Sequence, residues 1–145
     1  MEVIEFALAH ERYAIETACV REVHTLQDLT SLPCTPDFVA GIVNVRGRIL
    51  PVIDIRKFFD LPEKGISDMH YLLLVYTDDM EIGILADTVA GVRSVPLDAM
   101  QASLPTLTGV REEYLKGVTA ERLVILDARR ILADRRILVQ DEVEA

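Results

Sequence analysis

Residues 41–55, GIVNVRGRILPVIDI, decide the fold of this chain. Two β-branched runs, Ile42 to Val45 and Ile49 to Ile55, are parted by Arg46-Gly47-Arg48, which is a tight-turn signal between strands. The stretch therefore predicts a hairpin. Pro51 has no N–H to give to a ladder and belongs at an edge or a bulge. Asn44 and Arg46 set polar groups among residues of which one face should be buried. A sheet edge with polar side chains at its tip is a surface for partners.

Working outward, the same strand and turn signals recur along the chain. Val3 to Leu8 and Arg12 to Ile15 read as strands joined by Ala9-His10-Glu11. Cys19 to Val23 is a strand with Val20, Glu22 and then His24 on one face. Gln27 to Asp37, with Pro33 and Pro36, is loop. After Asp54, Arg56-Lys57-Phe58-Phe59 makes a helical turn, and 60–68 connects to two further strands, His70 to Tyr76 and Glu81 to Asp87, joined by Thr77-Asp78-Asp79-Met80. Val89 to Leu97 is a strand with a bulge at Gly91, and 98–108 is loop. Leu115 to Thr119 and Arg122 to Asp127 form a last hairpin. From Ala128 onward Ile131, Leu132 and Leu138 are spaced for one apolar helix face, and the tail 141–145 is acidic. The run from Gly41 to Phe59 is echoed weakly by Gly117 to Leu132, which fits two similar β-lobes.

With 145 residues, one domain of two small lobes can bury an adequate core without metal or disulfide staples. Half of the residues are hydrophobic but only 6% are aromatic, with no Trp, so the core should be built from Val, Ile and Leu in strands. That composition gives no stacking platform for single-stranded nucleic acid. The formal net charge of -9 opposes attraction to phosphate backbones and anionic lipid. The longest apolar run, Leu72 to Val75 between Tyr71 and Tyr76, is far short of the roughly 20 residues of a membrane span. Glu2 and Glu5 stand where a signal peptide carries positive charge. The expected location is the cytoplasm, with Cys19 and Cys34 as free thiols, since neither has a CxxC or histidine partner at ligand spacing.

Short strands with frequent turns and little helix argue for small β-barrels, which dispose of exposed edges by closing. Residues 41–55 resemble the signature of the CheW family, the scaffold that links chemoreceptors to the histidine kinase CheA. Gly41, Asn44, Arg46, Gly47, Pro51, Val52 and Asp54 carry the resemblance. The opening strands, Val20 to Val23, Ile82 to Asp87 and Leu115 to Ile125 extend it over almost the whole chain. The resemblance implies a mainly β fold of two packed five-stranded SH3-like barrel lobes with a short C-terminal helix. The expected lobes run over 14–66 and 70–122 of a single domain covering 1–145, with the N-terminal strand and C-terminal helix packing across them.

The resemblance also implies a non-enzymatic adaptor without cofactors. Its partners would be the regulatory domain of a CheA-type kinase and the cytoplasmic tip of methyl-accepting chemoreceptors, and it would be recruited to membrane-associated receptor arrays without inserting into the membrane. It places Glu22 and Arg46 close together on the receptor-facing lobe, where an arginine fork can grip a carboxylate. It also sets Val20, Val89 and Val92 along an apolar groove between lobes. Gly41, Asn44, Gly47, Ile49 and Gly83 complete the expected protein-binding set. The residues leave one alternative open: a β-barrel small-ligand binder or hydrolase using a strand-end carboxylate, Asp54 or Asp127, as acid or base. Those two aspartates also read as caps of the helical turns that follow them. His10, His24 and His70 sit in no HxH, HExxH or nucleophile-elbow context, and no phosphate-cradling glycine motif exists.

Overall fold

A computed structural model describes residues 1–26, 29–61, 70–78, 80–100 and 112–137. The strands are β1 (Glu2–Leu8), β2 (Glu11–Glu16), β3 (Val20–Thr25), β4 (Val39–Val45), β5 (Arg48–Ile53), β6 (Tyr71–Tyr76), β7 (Glu81–Ala86), β8 (Thr88–Ser94), β9 (Leu115–Val118) and β10 (Val124–Leu126). Two short helices, α1 (Ile55–Phe58) and α2 (Ala128–Leu132), follow β5 and β10. The signature hairpin is β4–β5, with Asn44 paired to Ile49 and Val45 to Arg48. Its loop is Arg46-Gly47, both at positive φ (53° and 85°), which is the backbone twist a two-residue hairpin loop requires.

The strands form two five-stranded sheets, ordered β8-β1-β2-β10-β9 and β3-β6-β7-β5-β4. In each, three junctions are antiparallel and one is parallel, β2 with β10 and β7 with β5. The mainly β, two-lobe class expected from the sequence is what the chain forms. The expected lobe spans, 14–66 and 70–122, do not coincide with the sheets. β6 and β7 complete the sheet that holds β3 to β5, while β1 and β2 pair with β8 and β10. β1 is thus an interior strand of one sheet and not an accessory lying across both. Parallel junctions between strands far apart in sequence leave no local trace in the sequence.

The chain passes between sheets twice, through a 3-10 turn at Thr17–Cys19 and through the single residue Asp87. Asp87 is tied to the β1–β2 hairpin at both ends: its N–H donates to the Ala7 carbonyl and its carboxylate accepts from the Ala9 N–H, each at 2.8 Å.

Period-two alternation sorts the apolar residues into three cores. Leu73, Val75, Ile82, Ile84 and Ile53 of one sheet meet Phe6, Leu8, Tyr13 and Ile15 of the other in a shared core between the sheets. Leu72, Leu74, Val52, Leu50 and Val43 face away from that seam into a second core. Val3, Ala14, Leu123 and Ile125 do the same in the third. Strands buried on both faces explain why few of them read as cleanly amphipathic.

The ends of the shared core are closed by the two helical turns. Phe38 meets Phe58 edge-on at 5.3 Å between ring centres, and Phe58 meets Tyr114 at 5.5 Å. Arg136 covers Phe58 from 4.2 Å and donates to its carbonyl oxygen. The helix anticipated from Ala128 ends at Leu132, helical residues resume at 135–137 with Ile137 buried in the shared core, and Leu138 and the acidic tail lie outside the described residues, as do 62–68 and 101–108 of the two expected loops. Cys19 is buried and Cys34 exposed, and both are free thiols.

Candidate functional site

The register of β3 on β6 sets Glu22 opposite Leu74 and His24 opposite Leu72. Both therefore lie on the face that carries the second core, at one edge of the sheet. β4 is the other edge. The chain after β3 closes part of the gap, with Thr30 and Ile42 exchanging backbone hydrogen bonds. The β4–β5 loop closes the rest: Arg46 Nη1 donates to Glu22 Oε1 at 2.5 Å. His24 Nε2 lies 2.5 Å from the other oxygen, Oε2. With two partners, of which His24 has the larger effect, the Glu22 carboxyl is held below its ordinary value. Arg46 is 70% exposed at its side chain and Glu22 only 25%, so the pair presents the guanidinium outward.

Asn44 fixes the loop beneath Arg46, its Oδ1 accepting from the Gly47 N–H at 2.9 Å. Asn44, Arg46 and Ile49 border a cleft of about 440 Å³ with His24 and Thr30. Ile49 is 47% exposed there, a large apolar side chain at the rim of a charged pair. Glu22, Asn44, Arg46, Gly47 and Ile49 are therefore one cluster.

The other anticipated residues fall elsewhere. Gly41 and Gly83 are buried, and their role in the fold is packing: a Cβ on Gly41 would stand 2.3 Å from the Thr30 oxygen, and one on Gly83 2.6 Å from Leu72 Cδ1. Val20 and Val89 pack on the core between the sheets. Val92, 61% exposed, is paired on β8 with Ile4, which packs on the same core. Val20 and Val89 thus pack on the core between the sheets and Val92 is exposed on β8, and none of the three joins the Glu22 cluster.

Asp54 and Asp127 cap the helical turns. Asp54 accepts from the Arg56 N–H at 3.0 Å and binds the same residue's guanidinium at 3.1 Å, and Asp127 accepts from the Arg130 N–H at 3.2 Å. No group of three or more metal-ligating side chains exists among the described residues. No helix among them is long and apolar enough to cross a membrane.

Sequence reasoning passed over several charged groups. Glu81 is buried and held by Arg48 and Arg21, the latter stacked 4.1 Å over Tyr76. Glu5 of β1 is bound by Arg12 of β2 and Arg93 of β8, and Arg93 also reaches Glu121. Apart from Glu5 and Arg12, which share the β1–β2 hairpin, these partners are far apart in the chain, so only tertiary structure reveals them. For His24 a signal existed, its position two residues from Glu22 on the same strand face.

The family model of the CheW-like domain matches residues 2–136. The chain belongs to the CheW-like family. It is 31% identical to the chemotaxis protein CheW of Treponema pallidum, over 94% of this chain and 84% of that one. It is 31% identical to the chemotaxis protein CheW of Klebsiella aerogenes, over 98% of this chain and 87% of that one. The crystal structure of the scaffolding protein TtCheW from Thermoanaerobacter tengcongensis superposes with a TM-score of 0.75 at 29% identity, covering 87% of this chain and 83% of that one. This CheW-like chain is a chemotaxis coupling scaffold.

Proposed function

We propose that this CheW-like chain joins the cytoplasmic tip of chemoreceptors to the regulatory domain of a CheA-type histidine kinase, in the cytoplasm at membrane-associated receptor arrays, by binding alone and without a reaction of its own. The observation that carries the reading is the Glu22–Arg46 pair at 2.5 Å, which pins the exposed β4–β5 loop across the open edge of its sheet. A receptor helix laid in the adjoining cleft meets Ile49 as an apolar anchor and Arg46 as a charged one, in the helix-in-groove mode. Val20, Val89 and Val92 extend apolar surface along the seam. The kinase contact uses apolar lobe surface against a similar lobe.

Receptor-fragment binding and circular dichroism on the wild type, Arg46→Glu, Glu22→Arg and the double exchange test this site. Arg46→Glu should keep the fold, since an exposed pair contributes little stability, yet weaken receptor binding by about tenfold or more. Kinase binding should change much less. The exchanged double variant should regain part of the loss, and the cycle measures the coupling. A folded Arg46→Glu protein that binds the receptor like the wild type rules out the site.

The strand-end carboxylates do not favour an enzyme. The Asp54 carboxylate is already engaged by a backbone N–H and a guanidinium, and that of Asp127 by a backbone N–H.

A further inference from the structure

The β4–β5 turn is held from two sides, and the second hold is the firmer. No atom beyond its chain neighbours lies within 4 Å of where a Gly47 Cβ would stand, so apart from the Asn44 bond the tip rests on its flanks. Arg46 leads to Glu22 on β3, an edge strand, through a largely exposed guanidinium. Arg48, the first residue of β5, leads to Glu81 on β7, the middle strand of the sheet. We infer that Glu81 is a positioning residue of the receptor-facing loop, fixing through Arg48 the trailing side of the turn whose leading side Glu22 holds through Arg46. The inference rests on the proposed receptor-facing role of that loop.

Strand alternation explains how a carboxylate comes to lie there. Glu81, Gly83 and Leu85 share one face of β7, and Arg48, Leu50 and Val52 share one face of β5, both turned to the second core. Glu81 therefore stands at the end of that core, with its side chain only 8% exposed. Both of its oxygens are taken by one fork: Arg48 Nη1 donates to Oε1, and Nη2 donates to Oε2 at 3.3 Å. A bidentate pair of this kind fixes direction as well as distance.

β3 supplies the second partner through a bulge. Val20 lies opposite Val75 and Glu22 opposite Leu74, so Arg21 is an extra residue in that strand. Without it Glu22 would lie opposite Leu73, on the face of the shared core. With it Glu22 turns to the second core and Arg21 reaches Glu81, Nε lying 3.2 Å from Oε1, while its guanidinium stacks on Tyr76. One bulge thus serves both holds.

A buried carboxylate between two guanidiniums returns little net stability, because desolvation offsets the attraction. What it supplies here is geometry, since it ties the edge strand β3 and the start of β5 to the middle of the sheet. Glu81 does not border the cleft, whose lining runs through His24, Thr30, Asn44, Arg46 and Ile49. It reaches a receptor helix only through the loop.

Two measurements on the full chain test this, with Glu81→Gln, Arg48→Gln and the double variant, each checked for fold by circular dichroism. In the free protein, 15N relaxation should show the order parameter of the Gly47 amide falling from the rigid range, about 0.85, toward about 0.6 in either single variant. Receptor-fragment affinity should fall by about two- to tenfold in each, the cost of ordering a loosened loop on binding. The double variant should bind no worse than Glu81→Gln alone, because the two residues act through one contact.

Unchanged Gly47 order in a folded Arg48→Gln protein overturns the inference. Arg21 still covers Glu81 in that variant, so this arm does not depend on Glu81→Gln folding. Fully additive affinity losses would mean that Arg48 meets the receptor itself, and they overturn it as well. If Arg46→Glu binds receptor like the wild type, it is the receptor-facing reading that fails, while Gly47 order still decides whether Glu81 holds the loop.

Discussion

Arg93 of β8 donates to Glu121, in the turn between β9 and β10, at 3.0 Å, and so bridges the two edges of its sheet with the polarity opposite to that of Glu22 and Arg46 in the other. In one lobe the strand supplies the acid and the hairpin tip the base, and in the other the roles are exchanged. The second closure is the more connected, because Glu5 joins Arg93 and Arg12 behind it.

That network makes an acid-sensitive contribution to stability. Its hydrogen bond from Arg12 first, and that of Arg93, hold the Glu5 carboxyl below its ordinary 4.5 against the opposing effect of burial. Glu121 is likewise lowered, chiefly by Arg93. A depressed carboxyl stabilises the fold fully above its unfolded value and loses that contribution as pH falls through the folded one. Denaturant midpoints of the wild type should therefore be level above about pH 5 and drop below it. Glu5→Gln should start lower at neutral pH and decline less in acid. Parallel wild-type and Glu5→Gln curves would exclude the network as the cause.

The two capping aspartates should differ in cost. Asp54 is buried and holds both the helix N–H and the nearly buried Arg56 guanidinium, whereas Asp127 only caps. Asp54→Ala should destabilise by about 2 to 4 kcal/mol, a cap plus part of a buried-pair loss, and Asp127→Ala by about 1 kcal/mol. Chemical denaturation measures both. Equal losses would mean that the Asp54 guanidinium contact contributes nothing.

Two signature glycines separate packing from turn geometry. Gly41 lies at φ 152° with the Thr30 carbonyl oxygen where a Cβ would go, while nothing lies within 4 Å of a Cβ on Gly47. Gly41→Ala should cost roughly 2 to 4 kcal/mol through strain and the lost Thr30–Ile42 bridge. Gly47→Ala, strained only by its positive φ, should cost about 1 kcal/mol. A milder effect at Gly41 than at Gly47 would contradict the close approach.

The kinase contact should be insensitive to salt. The chain carries a net charge of -9, and Val23 leaves a large apolar group exposed on β3. Affinity for a kinase regulatory domain should change by less than about tenfold between low and moderate salt, and a steeper fall would point to charge steering instead.

Most strands were legible because hairpins announce themselves locally. Arg46-Gly47 separates β4 from β5, Ala9-His10 separates β1 from β2, and both loops adopt the positive φ that such short connections need. The capping roles of Asp54 and Asp127 were legible for the same reason, since a cap reaches only two or three residues. The pairing of β6 and β7 with β3 to β5 was not, nor were the partners of Glu81, Glu5 and Arg93. Those depend on which strands lie side by side, and alternation of apolar residues is silent on that when both faces of a sheet are buried. Glu22 and Arg46 could be paired in advance only through the family resemblance, and His24 was given no partner.

The parallel junction of β2 with β10 bears on how the chain is made. Tyr13, Ala14 and Ile15 are synthesised well before their partners Val124, Ile125 and Leu126. All five strands of the sheet built from β3 to β7 are complete once Ala86 has been added. The opening hairpin meanwhile holds Phe6, Leu8, Tyr13 and Ile15 with only one lobe to cover them. Contacts this distant in sequence close slowly, and unpaired strand edges left waiting are open to aggregation. Translation speed between β7 and β10, and chaperones that bind apolar hairpins, thereby become determinants of yield for a protein whose finished form has both sheets in place.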